Sequence, residues 1–222
     1  MEQAILTKEQ QAAIARIRLN NEITSLFYLT GGTALAGFYL YHRYSDDLDF
    51  FTEIDPCPQL VIERLITDIK TSLNCHQVAH RRIYDRRLYF FALPDGKELK
   101  IEFTHYPHKR LHESELKNGI AVDSLEDIAA NKIMALLDRI ESKDFVDLYF
   151  LMQEKGITLD ALRQLVEQKF GITLEPITFG SEFAKVRAIS ALPQMVKPVT
   201  LEELKAFFTN RARELSPQIF RG

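Results

Sequence analysis

Residues 29–51 read LTGGTALAGFYLYHRYSDDLDFF, and the order of features in this stretch decides the fold. Residues 26–29 (LFYL) are a short apolar run suited to a buried strand, Gly31 and Gly32 interrupt it, and TALAGFYLYHR returns to good helix formers. In DDLDFFT the apolar Leu48 and Phe50 alternate with Asp47 and Asp49, the period of two expected of a half-buried strand. Both acids therefore share one strand face, and Asp46 falls on the other. The resulting order is strand, glycine turn, helix, acidic strand.

Upstream, residues 7–20 read as a helix, with Thr7 and Gln10 spaced for a capping box and Ile14 and Ile17 at helical spacing. Downstream, Pro56 and Pro58 end the acidic strand, and LVIERLITDIKTSL reads as an amphipathic helix. RRLYFFALPDG and KELKIEFTHY flank the turn signal Pro94-Asp95-Gly96 and predict a hairpin. From Ser124 the pattern becomes helical: SLEDIAANKIMALLDRI with Ser124 as cap, KDFVDLYFLMQEKG ending at Gly156, and further helices near 160–169 and 201–209. The expected fold is α/β (α+β), a mixed-sheet core over residues 1–115 followed by a mainly helical region over 116–222.

Composition narrows the function classes. A chain of 222 residues can bury a sizeable core without cross-links, and two cysteines, Cys57 and Cys75, suggest neither a zinc knuckle nor a disulfide framework. No apolar run reaches the roughly 20 residues of a membrane span, and the polar start MEQAILTKEQQ is unlike a signal peptide, so a cytoplasmic protein is expected. The net charge of −3 argues against a globally basic nucleic-acid binder but leaves room for a local patch. His80, Arg81, Arg82, Arg86 and Arg87, with Tyr84 and Tyr89, form one such run; it suits either RNA contact or an ordinary half-exposed hairpin. The pair His105 and His108 lacks a zinc pattern and is read as surface.

The chemistry centres on Asp47 and Asp49. Two carboxylates at i and i+2 on a strand can coordinate adjacent divalent cations, and Glu102, between Ile101 and Phe103, is positioned to add a third from a neighbouring strand. Glu98 has the same parity but lies beside the turn, so Glu102 is preferred. Such a set suits two-metal phosphoryl transfer, in which ions about 3.5–4 Å apart activate an attacking hydroxyl and stabilise the leaving phosphate, with Mg²⁺ the natural ion for hard oxygens. Gly31 and Gly32 would let the backbone approach a phosphate, with Thr33 and the following amides as donors. Taken alone, an Asp-x-Asp on a wet strand and a Gly-Gly connection are both common; their order together carries the reading.

These residues resemble the signature of the DNA polymerase beta-like nucleotidyltransferases, particularly the AbiEii/AbiGii-type toxin branch, whose Arg-x-Ser-x-Asp-hydrophobic-Asp run is matched by Arg43, Ser45, Asp47, Leu48 and Asp49. The resemblance extends through NKIMALLDRIESKDFVDLYFL, where it implies Lys132 as a phosphate contact and Arg139, Asp144 and Asp147 as a supporting motif. Lys143 departs from the Arg common before the aspartate. Spacing places Lys132 and Arg139 on one helix face and Asp144 and Asp147 on another, which equally suits an interhelical salt-bridge network. Arg43 has two readings, substrate phosphate or neutralisation of the acids, and Ser45 either positions the loop or donates a hydrogen bond. The resemblance implies transfer of a nucleoside monophosphate from a nucleoside triphosphate to an acceptor hydroxyl, with two Mg²⁺ ions, tRNA as acceptor and a cognate antitoxin as partner. Competing accounts are a small-molecule or protein acceptor, or a catalytically silent interaction module.

Overall fold

Thr7 opens the first helix as its sequence predicts: its hydroxyl accepts from the Gln10 amide while the Gln10 side chain accepts from the Thr7 amide, capping α1 (Lys8–Ile17). The computed structural model describes residues 5–55 and 57–219, with side chains through Leu215; Pro56 and the first four residues of the polar start lie outside the described residues. Two compact units divide the chain, residues up to Tyr39 with Ser45–Ser124, and Leu40–Tyr44 with residues from Leu125 onward.

Among the described residues, the first unit is built on a seven-stranded mixed sheet. Its strands are β1 (Tyr28–Thr30), β2 (Leu48–Thr52), β3 (Gln77–Ile83), β4 (Arg86–Ala92), β5 (Glu98–His105), β6 (Glu115–Lys117) and β7 (Ile120–Val122), in the order β3-β4-β5-β2-β1-β7-β6. β2 lies near the middle, antiparallel to β1 and parallel to β5. Period two then sorts its residues: Leu48, Phe50 and Thr52 are buried, while Asp49 and Phe51 are only half-buried. Phe50 stacks on Phe103 of β5 with ring centroids 5.4 Å apart, and Phe27 meets Phe103 edge-on at 5.1 Å. Each such fully buried ring contributes about 1.5–3 kcal/mol relative to exposure. Helix α4 (Gln59–Ser72) presents Ile62, Leu65, Ile66 and Ile69 to the core and packs on α1.

Three features differ from the sequence reading. A short helix, α2 (Asn21–Leu26), capped by Asn20, precedes β1, which starts two residues later than expected. The helix after the glycine turn is α3 (Gly31–Leu35), continued as one π-helical turn over Ala36–Leu40, and it stops short of Arg43. β6 and β7 form a hairpin whose turn residues Asn118 and Gly119 both have positive φ, 50° and 80°, the geometry an Asn-Gly pair favours. Because β7 pairs with β1, the first unit extends to Ser124.

The second unit is helical: α5 (Leu125–Asp138), α6 (Ser142–Glu154), α7 (Leu159–Phe170), α8 (Pro176–Ala184), a 3₁₀ turn over Lys185–Ala188, and α9 (Leu201–Ile219). Phe208 of α9 meets Phe145 of α6 and Phe183 of α8 edge-on, each at 5.1 Å. Against α5, the end of α7 buries Lys169, whose ammonium lies 2.6 Å from Asp127, both side chains fully excluded from solvent. Breaking a buried pair from one side leaves a desolvated charge, at a cost of about 3–5 kcal/mol. Lys169→Met should therefore lower the thermal unfolding midpoint by roughly 10 °C, and the double variant Lys169→Met with Asp127→Leu should recover most of the loss. Differential scanning calorimetry of the three proteins checks this; a single variant as stable as wild type would show that the pair does not hold α7 to α5.

Candidate active site

Asp49 of β2 sits directly opposite Thr30 of β1 and Glu102 of β5 in the ladder, so the three strands carry Asp49 and Glu102 side by side on one sheet face. The glycine turn closes on the same point. Gly31 has φ +73°, and a Cβ added there would stand 2.7 Å from Asp49 Oδ2, so only glycine lets the turn pass this close to the carboxylate. Thr30, which precedes the α3 helix, does not cap it; its hydroxyl donates to Asp123 Oδ2 at 2.7 Å. Thr33 is buried, and its hydroxyl donates to the backbone carbonyl of Asp47, tying the helix to the entry of β2. The Ser45 carbonyl accepts from Gln10 Nε2 at 2.7 Å, which fixes the loop before the acids.

The three acids are not equivalent. Asp47 and Asp49 remain 37% and 24% exposed, whereas Glu102 is 3% exposed. Arg86 of β4 grips both Glu102 oxygens, at 2.6 and 2.8 Å, and Thr104 donates to Oε1 at 2.7 Å. Burial pushes the Glu102 carboxyl up, but the Arg86 fork, Thr104 and Lys100 outweigh it and hold the group below the usual carboxylate range. At the centre stands Lys100, with Nζ 2.7 Å from Asp47 Oδ2, 3.7 Å from Glu102 Oε2 and 4.0 Å from Asp49 Oδ1. Burial lowers its ammonium pKa, while Asp49, Asp47 and Glu102 more than offset this and leave it raised.

Among the described residues no group of three or more His, Cys, Asp or Glu side chains is arranged to hold a metal ion. The donor chemistry nevertheless fits one: Asp47 and Asp49 offer hard, accessible oxygens on one face, and a cation already touches them in the form of Lys100. Glu102 lies in register with Asp49 but spends its oxygens on Arg86 and Thr104.

The basic run separates. Arg81 and Arg86 share the acid face, and Arg81 lies over the Phe90 ring at 5.4 Å. His80, Arg82 and Arg87 fall on the opposite face, where His80 stacks on Tyr89 and Arg87, buried, donates to Gln59 Oε1 at 2.6 Å. Tyr84 is 90% exposed at the hairpin tip.

The motif of the helical unit forms a buried network. Asp147 is fully buried and accepts from His42 Nε2 at 2.7 Å, from Arg43 Nε and Nη2 at 2.7 and 2.8 Å, and from Lys132 Nζ at 2.5 Å. Lys132 also reaches Asp144 Oδ1 at 3.0 Å, and Arg139 donates to both Asp144 oxygens. Burial pushes both aspartates up, but Lys132 and the arginines outweigh it, and Asp147 is held well below the carboxylate range. Thus Arg43 commits its fork to Asp147, and the interhelical network considered from spacing is the arrangement present. Lys143 instead faces Glu141 at 2.9 Å.

Sequence reasoning overlooked Lys100, Arg86 as the partner of Glu102, and His42. Parity could have found Lys100, two residues before Glu102; the other two depend on strand register and on packing within the helical unit.

His42 yields a pH prediction. A carboxylate only accepts, so the His42 proton facing Asp147 is on Nε2, and its buried Nδ1 meets no partner among the described residues. Burial lowers the His42 pKa despite Asp147, with Arg43 and Lys132 adding to the depression. The unfolded chain then binds a proton that the folded one refuses, so this contribution to stability is present above about pH 6.5 and is lost as pH falls below it, by up to about 1.4 kcal/mol per unit. Asp144 and Asp147, with depressed values, act only in the acid range below that of an unfolded carboxylate. Urea unfolding midpoints between pH 7.5 and 5.5 should fall for wild type and fall less for His42→Gln; equal slopes would contradict the assignment.

The family model described as nucleotidyl transferase AbiEii toxin, type IV TA system, matches residues 14–221. An uncharacterised protein of Aquifex aeolicus is 32% identical over 217 residues, 94% of this chain and 97% of that relative. Among solved structures, JHP933 from Helicobacter pylori aligns with TM-score 0.60 at 22% identity, covering 96% of this chain and 91% of that one. A putative nucleotidyltransferase from H. pylori gives 0.59 at 23%, covering 100% and 98%. MenT4, a nucleotidyltransferase toxin from Mycobacterium tuberculosis, gives 0.50 at 16%, covering 94% and 84%. These likenesses establish a polymerase-beta-like mixed α/β core followed by a helical region. Since the family model and the Aquifex relative both span nearly the whole sequence, this chain belongs to the AbiEii family of nucleotidyl transferase toxins of type IV toxin–antitoxin systems.

Proposed function

We propose that the acid face of β2 and β5 transfers a nucleoside monophosphate from a nucleoside triphosphate to a hydroxyl of tRNA, in the cytoplasm and under control of a cognate antitoxin. The observation that carries this reading is the convergence of Asp47, Asp49, Glu102 and the Gly31 turn on one sheet face. Bound Mg²⁺, as one ion or a pair, would supply charge neutralisation and a lowered pKa for the acceptor hydroxyl. Asp47 and Asp49 would hold the ion. Glu102, gripped by Arg86, orients the cluster and completes its negative charge. The acceptor oxygen forms a bond to the α-phosphorus, the bond to pyrophosphate breaks, and the acceptor proton leaves to solvent.

Gly31 and Gly32 leave the backbone open to the triphosphate, and Thr33 and Ser45 position the strand entry through the Asp47 and Ser45 carbonyls. The assignment of Lys132 to phosphate follows family resemblance. Its pairing with Asp144 and Asp147 means that a Lys132→Met protein has to be judged per folded molecule. Arg43, Arg139, Asp144 and Asp147 are read as support for that lysine.

The experiment supplies each α-phosphate-labelled nucleoside triphosphate and total tRNA, with and without Mg²⁺. Label should appear on tRNA with wild type and Mg²⁺ and be absent with Asp49→Asn; Arg86→Met, which frees Glu102 from its anchor, should reduce transfer about 10–100-fold. Retained transfer in Asp49→Asn would sink the catalytic reading. Label on a protein or small molecule, with none on tRNA, would move the acceptor to those classes, and no Mg²⁺-dependent triphosphate binding at all would favour a silent module.

A further inference from the structure

Lys100 is a charged side chain of the acid face, in contact with the acids, that the proposed chemistry does not use. It lies two residues before Glu102 on β5, so period two directs it to the same face, and its ammonium is within 4.0 Å of a carboxylate oxygen from each of the three acids. Arg86, the other cation beside Glu102, is anchored by a two-pronged fork, whereas Lys100 reaches the cluster with a single flexible stem. A divalent ion on Asp47 and Asp49 would need the oxygens that the ammonium now approaches, and two cations cannot occupy them together.

We propose that Lys100 is a resident cation of the acid cluster that competes with the divalent ion, so that the site fills only as the ammonium is drawn aside. The inference rests on the reading of Asp47 and Asp49 as the metal-holding pair. Its consequence is weak affinity for the ion alone, and a site kept electrically balanced when no ion is bound. A polyanionic ligand such as a triphosphate supplies an alternative partner for the ammonium and so favours loading.

The test is a titration of free Mn²⁺ followed by electron paramagnetic resonance, without nucleotide, on wild type, Lys100→Met, Lys100→Gln, Lys100→Arg and Asp49→Asn. Circular dichroism melts confirm that each is folded, and the Gln variant serves if the Met variant is not. An exposed to half-buried ion pair is worth up to about 1 kcal/mol, so removing the charge should tighten binding about two- to fivefold. Lys100→Arg should stay near wild type, and Asp49→Asn should lose the site. Asp49-dependent binding that is no tighter in the Met and Gln variants, or that tightens equally in the Arg variant, overturns the competition while leaving the metal-holding pair intact. Absence of Asp49-dependent binding in every protein overturns both.

Discussion

The placement of β2 between β1 and β5 is the constraint on which the first unit depends. One strand must put Leu48 and Phe50 into the core and Asp49 onto the opposite face, and strand periodicity does both only for registers of one parity. A slip of one residue would bury Asp49 where Phe50 now stacks on Phe103, and would break the pairing of Asp49 with Glu102. The aromatic core therefore sets the position of the acids. Gly31 adds a second lock, since the turn can approach Asp49 only without a side chain.

Gathering carboxylates on one face creates a repulsion that the chain offsets in two ways. Glu102, the buried member, is neutralised by a fixed fork from Arg86 and a bond from Thr104, and its depressed pKa keeps it ionised. Asp47 and Asp49, the more exposed members, share the single ammonium of Lys100. The difference separates a buried, oriented carboxylate from two more exposed ones, and it explains how Glu102 belongs to the acid face although its oxygens are already occupied.

Much of this was legible in residues 29–51. The alternation around Asp47 and Asp49 predicted strand and face together, the Thr7 and Gln10 spacing predicted a cap that is present, and the Pro94-Asp95-Gly96 signal predicted the β4–β5 hairpin. What was hidden depended on partners distant in sequence. Arg86 and Arg87 are adjacent and chemically alike, yet one holds Glu102 and the other Gln59, because neighbouring strand residues point to opposite faces. The sequence leaves the proline-containing stretch between the helices near 160–169 and 201–209 unplaced, and Pro176 there opens α8, since proline suits the first turn of a helix. The hairpin of β6 and β7 was missed because its strands are three residues each, too short for alternation to show, even though the Asn118-Gly119 signal was present.

Lys100 and Lys132 show how burial changes what one residue type can do. Lys132 is buried and bridges two aspartates that are themselves excluded from water, one of them also saturated by His42 and Arg43. Withdrawing its ammonium would uncover buried carboxylate charge, at a cost of about 3–5 kcal/mol. Lys100 pairs with aspartates that water still reaches, and an ion pair of that kind is worth no more than about 1 kcal/mol. Water can take over the Asp47 and Asp49 oxygens as the Lys100 stem swings away, whereas nothing comparable solvates Asp147. Of the two lysines, Lys100 is therefore the one whose position can answer to what enters the acid face, and Lys132 is the one whose position the packing of α5 against α6 enforces.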